Sequence, residues 1–215
     1  MSKPAESKKD QGRIRIAAMC GSLTPESHTM HALRTAAEAA RQAGAEVRLV
    51  DLREYDLPIL HSPFQDKSQR AAAARLKDEL CWAEAFIFSS PEYHGSLSGA
   101  LKSALDLMGF DEFEGKLVAL VGVAGGSMGA IHTLDHMRTI FRQLHAWVLP
   151  DQVSIGGAAA TFDKHGRPAD EKLAKRLEAL GRELVRYALL HRESRSDRFV
   201  KLWEKSVQNP GGEGR

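Results

Sequence analysis

Hydrophobic and polar positions follow two periods along this chain. Short apolar runs of strand length recur. Each is followed by a longer segment whose apolar residues return every three or four positions. The first run is Ile14 to Cys20, closed by Gly21. A helix is predicted from Ser27 to Ala43, with Leu33, Ala36, Ala37 and Ala40 on one side and Gly44 placed to stop it. Glu46 to Leu52 predicts a second strand. Residues 53–67, with Pro58 and Pro63, predict a loop longer than the usual strand-to-helix connection. Four consecutive alanines support a helix from Ser68 to Ala83. Strands follow at Ala85 to Ser89, at Leu117 to Val123 and, as a short fifth strand, from Trp147, with helices at Ser98 to Met108, Gly129 to His145 and Ala169 to Arg192. The Leu117 run is almost wholly apolar, the mark of a strand buried on both faces.

Five strands alternating with five helices predict an α/β fold, a parallel sheet covered on both faces in three layers. Right-handed crossovers leave few topologies, and the order 2-1-3-4-5 is the natural one. A ligand then belongs beyond the C-terminal ends of the strands. A length of 215 residues favours one domain, and such a chain buries roughly 70% of its unfolded surface. The domain is expected over residues 13–193. Residues 1–12 are expected to form a flexible polar leader, and residues 194–215 a tail with room for one short helix, Asp197 to Lys205.

Composition narrows the function by exclusion. Lys plus Arg number 30 against 28 acidic residues, a net charge of +2, so no electrostatic case arises for nucleic acid or an anionic membrane. Two distant cysteines, Cys20 and Cys81, give neither an iron–sulfur cluster nor a disulfide scaffold. They fit a reducing, cytoplasmic setting. No apolar run reaches the length of a membrane span, and the polar, charged N-terminus MSKPAESKKDQG lacks the apolar core of a signal peptide, so neither is expected.

Three loops follow strands one, three and four, so the predicted topology gathers them on one edge. The first, Gly21 to Thr29, offers hydroxyls at Ser22, Thr24, Ser27 and Thr29 before a helix N-terminus. Free N–H groups, the helix dipole and hydroxyls make such a turn a phosphate site. It has no GxxxxGK[ST] and no GxGxxG. The same residues also fit a plain turn with Ser27 as N-cap. The second, Ser90-Pro91-Glu92-Tyr93-His94-Gly95-Ser96, fixes a backbone edge and offers a flat aromatic face. The third, from Gly122 to Gly129, holds four glycines in eight residues and permits close backbone approach to a ligand.

These motifs resemble the NADPH-dependent FMN reductase family, which includes quinone, chromate and azo-dye reductases. The family's GSLRxxSxN is GSLTPESHT here, and its PEYNGSxPGxLKNAxD is SPEYHGSLSGALKSALD. Its Gly-rich turn is VAGGSMGA, and the likeness spans about residues 13–190. The resemblance implies a flavodoxin-like fold, FMN as cofactor, NADPH or NADH as donor, a small-molecule acceptor, and a homodimer or homotetramer. By position, it implies that Ser22, Thr24, Ser27 and Thr29 hold the phosphate. Pro91, Glu92, Tyr93, His94 and Gly95 would line the flavin ring, and Gly125, Gly126 and Ser127 its other edge. It implies ping-pong hydride transfer and singles out no side chain as acid or base. Three positions depart from the pattern: Thr24 replaces an arginine, Thr29 an asparagine and His94 an asparagine. A charged phosphate hydrogen bond is worth roughly 1.5–3 kcal/mol, so Thr24 implies FMN affinity lower by one to two decades.

Two other function classes share the fold: an electron carrier that does not oxidise NAD(P)H, and a module without cofactor. The near-neutral charge favours the enzyme over the carrier. Several features fit bland roles. His132 and His136 share a helix face, as do His28 and His31, but neither pair has a third metal ligand in view. Arg192, Arg195, Arg198 and Lys201 are interrupted by acids and form a solvated face, while Phe199, Leu202 and Trp203 suit packing of the tail. Tyr55 and Phe64 either pack on the protein or wall an acceptor pocket.

Overall fold

Each predicted apolar run becomes a strand in the computed structural model, which describes residues 12–62 and 66–194. The strands are β1 (Arg15–Cys20), β2 (Glu46–Asp51), β3 (Ala85–Tyr93), β4 (Ser96–Leu97), β5 (Leu117–Val123) and β6 (Trp147–Ile155). The helices are α1 (His28–Gln42), α2 (Lys67–Trp82), α3 (Gly99–Asp106), α4 (Phe110–Phe113), α5 (Ile131–Gln143) and α6 (Glu171–Ser194). Five parallel strands run in the order β2-β1-β3-β5-β6, with β4 antiparallel to β3. Without the hairpin strand β4, this is the order expected from the sequence. The leader up to residue 11, Phe64 and the tail helix lie outside the described residues.

Helices cover both faces. One core layer packs α1 and α6 on Ile16, Ala18, Ile87, Ala119 and Val121. The apolar stripe of α1 is mostly alanine, and α6 comes correspondingly close. A Cβ on Gly181 would lie 2.1 Å from the carbonyl oxygen of Ala36, so glycine is required at that crossing. The other layer packs α2 to α5 on Ala17, Phe86, Phe88, Val118 and Leu120. Phe88 meets Phe141 at 4.6 Å and Phe86 meets Phe113 at 5.0 Å between ring centroids. Such tilted pairs are the favoured aromatic geometry.

Three departures from the expected elements have local causes. β3 runs on through Pro91 to Tyr93, because Pro91 still aligns with Val123 of β5 and the next residues pair with β4. The short α4 is closed by its own side chain, with Glu112 accepting the Gly109 N–H at 2.6 Å. β6 is a full nine residues. Pro150 and Asp151 break its alternation in sequence, and its register against β5 shifts between Val118 and Leu120. Arg138 of α5 repairs the break, donating to the carbonyls of Leu149 at 2.8 Å and Pro150 at 2.7 Å.

Candidate functional site

The parallel strands deliver the three loops to one edge of the sheet, as their order requires. At the first, the Gly21 N–H donates to the Ser89 carbonyl at 2.7 Å. The Ser98 hydroxyl donates to the Gly21 carbonyl at 2.6 Å. A Cβ on Gly21 would sit 2.9 Å from Leu101 Cβ, so only glycine lets the loop leave this close to α3. Ser22 is buried and its hydroxyl oxygen accepts the Thr24 N–H at 3.3 Å. Ser27 caps α1, accepting the Met30 N–H at 3.1 Å. Thr29 is buried in the first turn, whereas Thr24 is exposed. Ser22, Ser27 and Thr29 thus belong to one folded turn at the start of α1, whose first N–H groups lack intrahelical acceptors. Below it, burial pushes the Cys20 thiol up, against the Ser22 N–H and the hydroxyls of Ser89 and Ser27.

The second loop is a hairpin. Tyr93 pairs with Ser96, and the two residues between them, His94 and Gly95, have φ of +53° and +75°. Positive φ at both central positions is the primed turn that matches strand twist, and it favours Asn-Gly. His94 therefore fills a position with a backbone requirement that asparagine meets more easily. Tyr93 stays 53% exposed at the tip. Glu92 turns toward α5, and its Oε2 accepts the Thr133 N–H at 3.0 Å. Ser96 Oγ and His136 Nδ1 lie 2.9 Å apart, a second tie from hairpin to helix. On the near side, Ser90 Oγ accepts the Ser98 N–H at 3.0 Å.

The third loop is held by the end of β6. The Ala124 N–H donates to the Ile155 carbonyl at 2.8 Å, and the Gly157 N–H to the Gly126 carbonyl at 2.9 Å. Ser154 Oγ accepts the Ala130 N–H at 2.9 Å. A Cβ on Gly156 would come within 2.7 Å of the Ser127 carbonyl. Gly125, Gly126 and Ser127 are exposed at the crest of the turn.

All twelve expected site residues fall in the three loops at this edge; Ser22, Thr29 and Pro91 are buried, and Thr24, Tyr93, His94, Gly125, Gly126 and Ser127 are exposed. The residues fit a phosphate and a planar ring by the chemistry of this donor set: buried hydroxyls at Ser22 and Thr29, a helix N-terminus, and backbone at Gly125 and Gly126 with open space on the side a Cβ would take. Ser90, Ser98, Ser154 and Gly156 were not singled out from the sequence, although they fix the loops. The Gly156-Gly157 pair directly after the last strand was the readable signal. Tyr55 packs on the protein, under the Arg75 guanidinium at 4.2 Å. His28 and His31 pack on Phe162, at 5.7 and 5.8 Å between centroids. Among the described residues, no cluster of three or more His, Cys, Asp or Glu is suited to a metal ion, and no helix is long and apolar enough to cross a membrane.

The model of the NADPH-dependent FMN reductase family matches residues 14–160, a span that contains all three loops. The chain belongs to this family. It is 30% identical to the NADPH-dependent FMN reductase ArsH of Shigella flexneri over 198 residues, covering 88% of this chain and 76% of that protein. It is 28% identical to a quinone reductase of Pseudomonas putida over 162 residues, covering 73% of this chain and 85% of that one. In fold it is similar to FerB, the flavoenzyme NAD(P)H:(acceptor) oxidoreductase of Paracoccus denitrificans, with a TM-score of 0.65 at 22% identity over 83% of this chain and 98% of the other. The chain is thus an oxidoreductase of flavodoxin-like fold, with FMN as cofactor and a reduced nicotinamide as donor.

Proposed function

We propose that the three loops form one FMN site from which electrons of NADPH or NADH pass to a small acceptor. Ser22, Ser27, Thr29 and, from the solvent side, Thr24 hold the phosphate. The backbone from Pro91 to Gly95 lines the ring with Tyr93 beside it, and Gly125, Gly126 and Ser127 approach its other edge. Glu92 contributes main chain only, since its carboxylate is committed to α5.

The observation that carries this reading is the stitching of the edge. Ser98 joins the first loop to the second, Glu92 joins the second to α5, and β6 holds the third. Donors fixed in advance of the reaction stabilise developing charge without reorganisation. FMN, when bound, supplies the two-electron chemistry, and the protein supplies orientation and electrostatics. Main-chain N–H groups within 92–95 and 125–127 are the donors available to negative charge on the ring, Pro91 having none. Donor and acceptor use the same open side in turn, which gives ping-pong kinetics. Met128 is 84% exposed and Ile131 50% exposed beside the third loop, a surface that suits an apolar acceptor. The active unit in this reading is a homodimer or homotetramer.

The test is direct. The protein is loaded with FMN, freed of excess and mixed with NADPH without oxygen while the flavin spectrum is followed. Rapid bleaching is expected. Retained flavin that stays oxidised with NADPH and with NADH refutes the reductase.

A further inference from the structure

Thr24 leaves the first loop without a cation, since no Lys or Arg falls between Gly21 and Thr29. The fold brings two guanidinium groups to it from elsewhere. Asp51, the last residue of β2, lies beside Cys20, the last residue of β1, in the parallel register. Arg53 folds back onto Asp51, its Nε 2.9 and 3.0 Å from the two carboxylate oxygens, with Nη2 also bonded to Oδ2. The Arg53 N–H donates to the same carboxylate at 3.0 Å. Arg34 reaches back along α1 to Glu26, in the loop itself, at 2.7 Å.

These are two ion pairs, one in the loop and one at the end of β2 beside Cys20, with His31 3.9 Å from Glu26 at the margin of the first. Arg34 first, and Arg53 more remotely, hold the Glu26 carboxyl below its usual range. Arg53 first, and Arg34 more remotely, do the same for Asp51. The two pairs differ in setting. Glu26 is 62% exposed, and its backbone has φ of +47°. The Asp51 side chain is only 18% exposed and grips Arg53 through both oxygens. A doubly held guanidinium is oriented, and the remaining N–H donors of its fork stay available to a second anion.

We propose that Arg53, positioned by Asp51 at the end of β2, supplies the phosphate-binding charge that Thr24 withholds from the first loop. The proposal rests on the FMN reading of the site. It moves the cation from the loop to the turn that follows the neighbouring strand and keeps the anion–guanidinium pairing. The partial exposure of Arg53 makes its contribution sensitive to salt.

Flavin dissociation constants, read by fluorescence quenching, test it. FMN and riboflavin are compared on wild type, Arg53→Gln, Arg53→Lys and Arg34→Gln at low and high salt, with a thermal melt for each variant. Arg53→Gln is expected to weaken FMN about tenfold while leaving riboflavin within about twofold. Arg53→Lys, which keeps the charge, recovers part of the loss, and high salt weakens FMN more on wild type than on Arg53→Gln. Undiminished FMN binding by a folded Arg53→Gln overturns the proposal. So does an equal loss of riboflavin, or a loss confined to Arg34→Gln. Wild-type protein that binds neither flavin is a different failure, because it removes the FMN site itself.

Discussion

Replacing Glu92 with alanine tests the view that this carboxylate is a helix cap delivered from another element. The cap residue of α5 is Ala130, which offers no side-chain acceptor, and the first turn holds no acid. Glu92 supplies both from the hairpin, across a separation of 41 residues, with Oε2 3.0 Å from the Thr133 nitrogen. Loss of a side-chain cap costs about 0.5–2 kcal/mol. Loss of a negative charge at a helix N-terminus costs about 0.3–1 kcal/mol, more where partly buried. Together these give about 2 kcal/mol for Glu92→Ala, which in a domain of this size lowers Tm by about 4–8 °C. Glu92→Gln keeps an acceptor oxygen and is expected to lose about half of that. The assay is thermal and urea unfolding of the flavin-free protein, with hydrogen exchange at the Thr133 amide as the local readout. Exchange there should quicken in the alanine variant before it does in β5. A Glu92→Ala protein that melts within about 1 °C of wild type would refute the argument, because the cap would then contribute nothing measurable.

Two further outcomes are expected. His94→Asn relieves a left-handed residue in the primed turn and should stabilise the protein by about 0.5–1 kcal/mol, a rise in Tm of about 1–4 °C; an unchanged or lower Tm would show that His94 makes a compensating contact. Asp163 accepts the N–H groups of Arg167 at 2.9 Å and His165 at 2.8 Å, and these bonds, Arg167's first, lower its pKa to about 2 from a usual 3.8. Because the folded value is the lower one, its contribution is whole above about pH 4 and is lost as pH falls toward 2. Urea midpoints measured across that window should fall less steeply for Asp163→Asn than for wild type, and parallel curves would exclude the linkage.

The architecture was legible because parallel strands buried on both faces, such as Leu117–Val123, are uninterrupted apolar runs. The three loops were legible because glycine and hydroxyl residues cluster where those runs end. What escaped were features set by tertiary pairing. Residues 90–93 look like a loop because Pro91 and Glu92 are poor strand formers, yet β5 on one side and β4 on the other hold them extended. His94 looks like a chemical substitution for asparagine, and its φ shows a turn requirement. Ser98 and Ser154 are ordinary serines in sequence; only the packing of α3 on β1 and of α5 on β6 brings their hydroxyls to Gly21 and Ala130. Arg53 stood in a segment expected to be loop, and its meaning depends on the Cys20–Asp51 register.

The break in β6 has a consequence for how copies of this chain can meet. An edge strand with an intact row of N–H and C=O groups is a template for another chain. β6 interrupts that row with Pro150, a shifted register and two carbonyls already taken by Arg138. The opposite edge, β2, carries Glu46 and Arg48, and Arg48 is drawn over the Trp82 ring at 3.7 Å. Neither border invites growth of the sheet by addition of strands. A protein whose inner strand β5 is apolar throughout is thereby spared the route to strand-by-strand aggregation that its own sheet would otherwise offer.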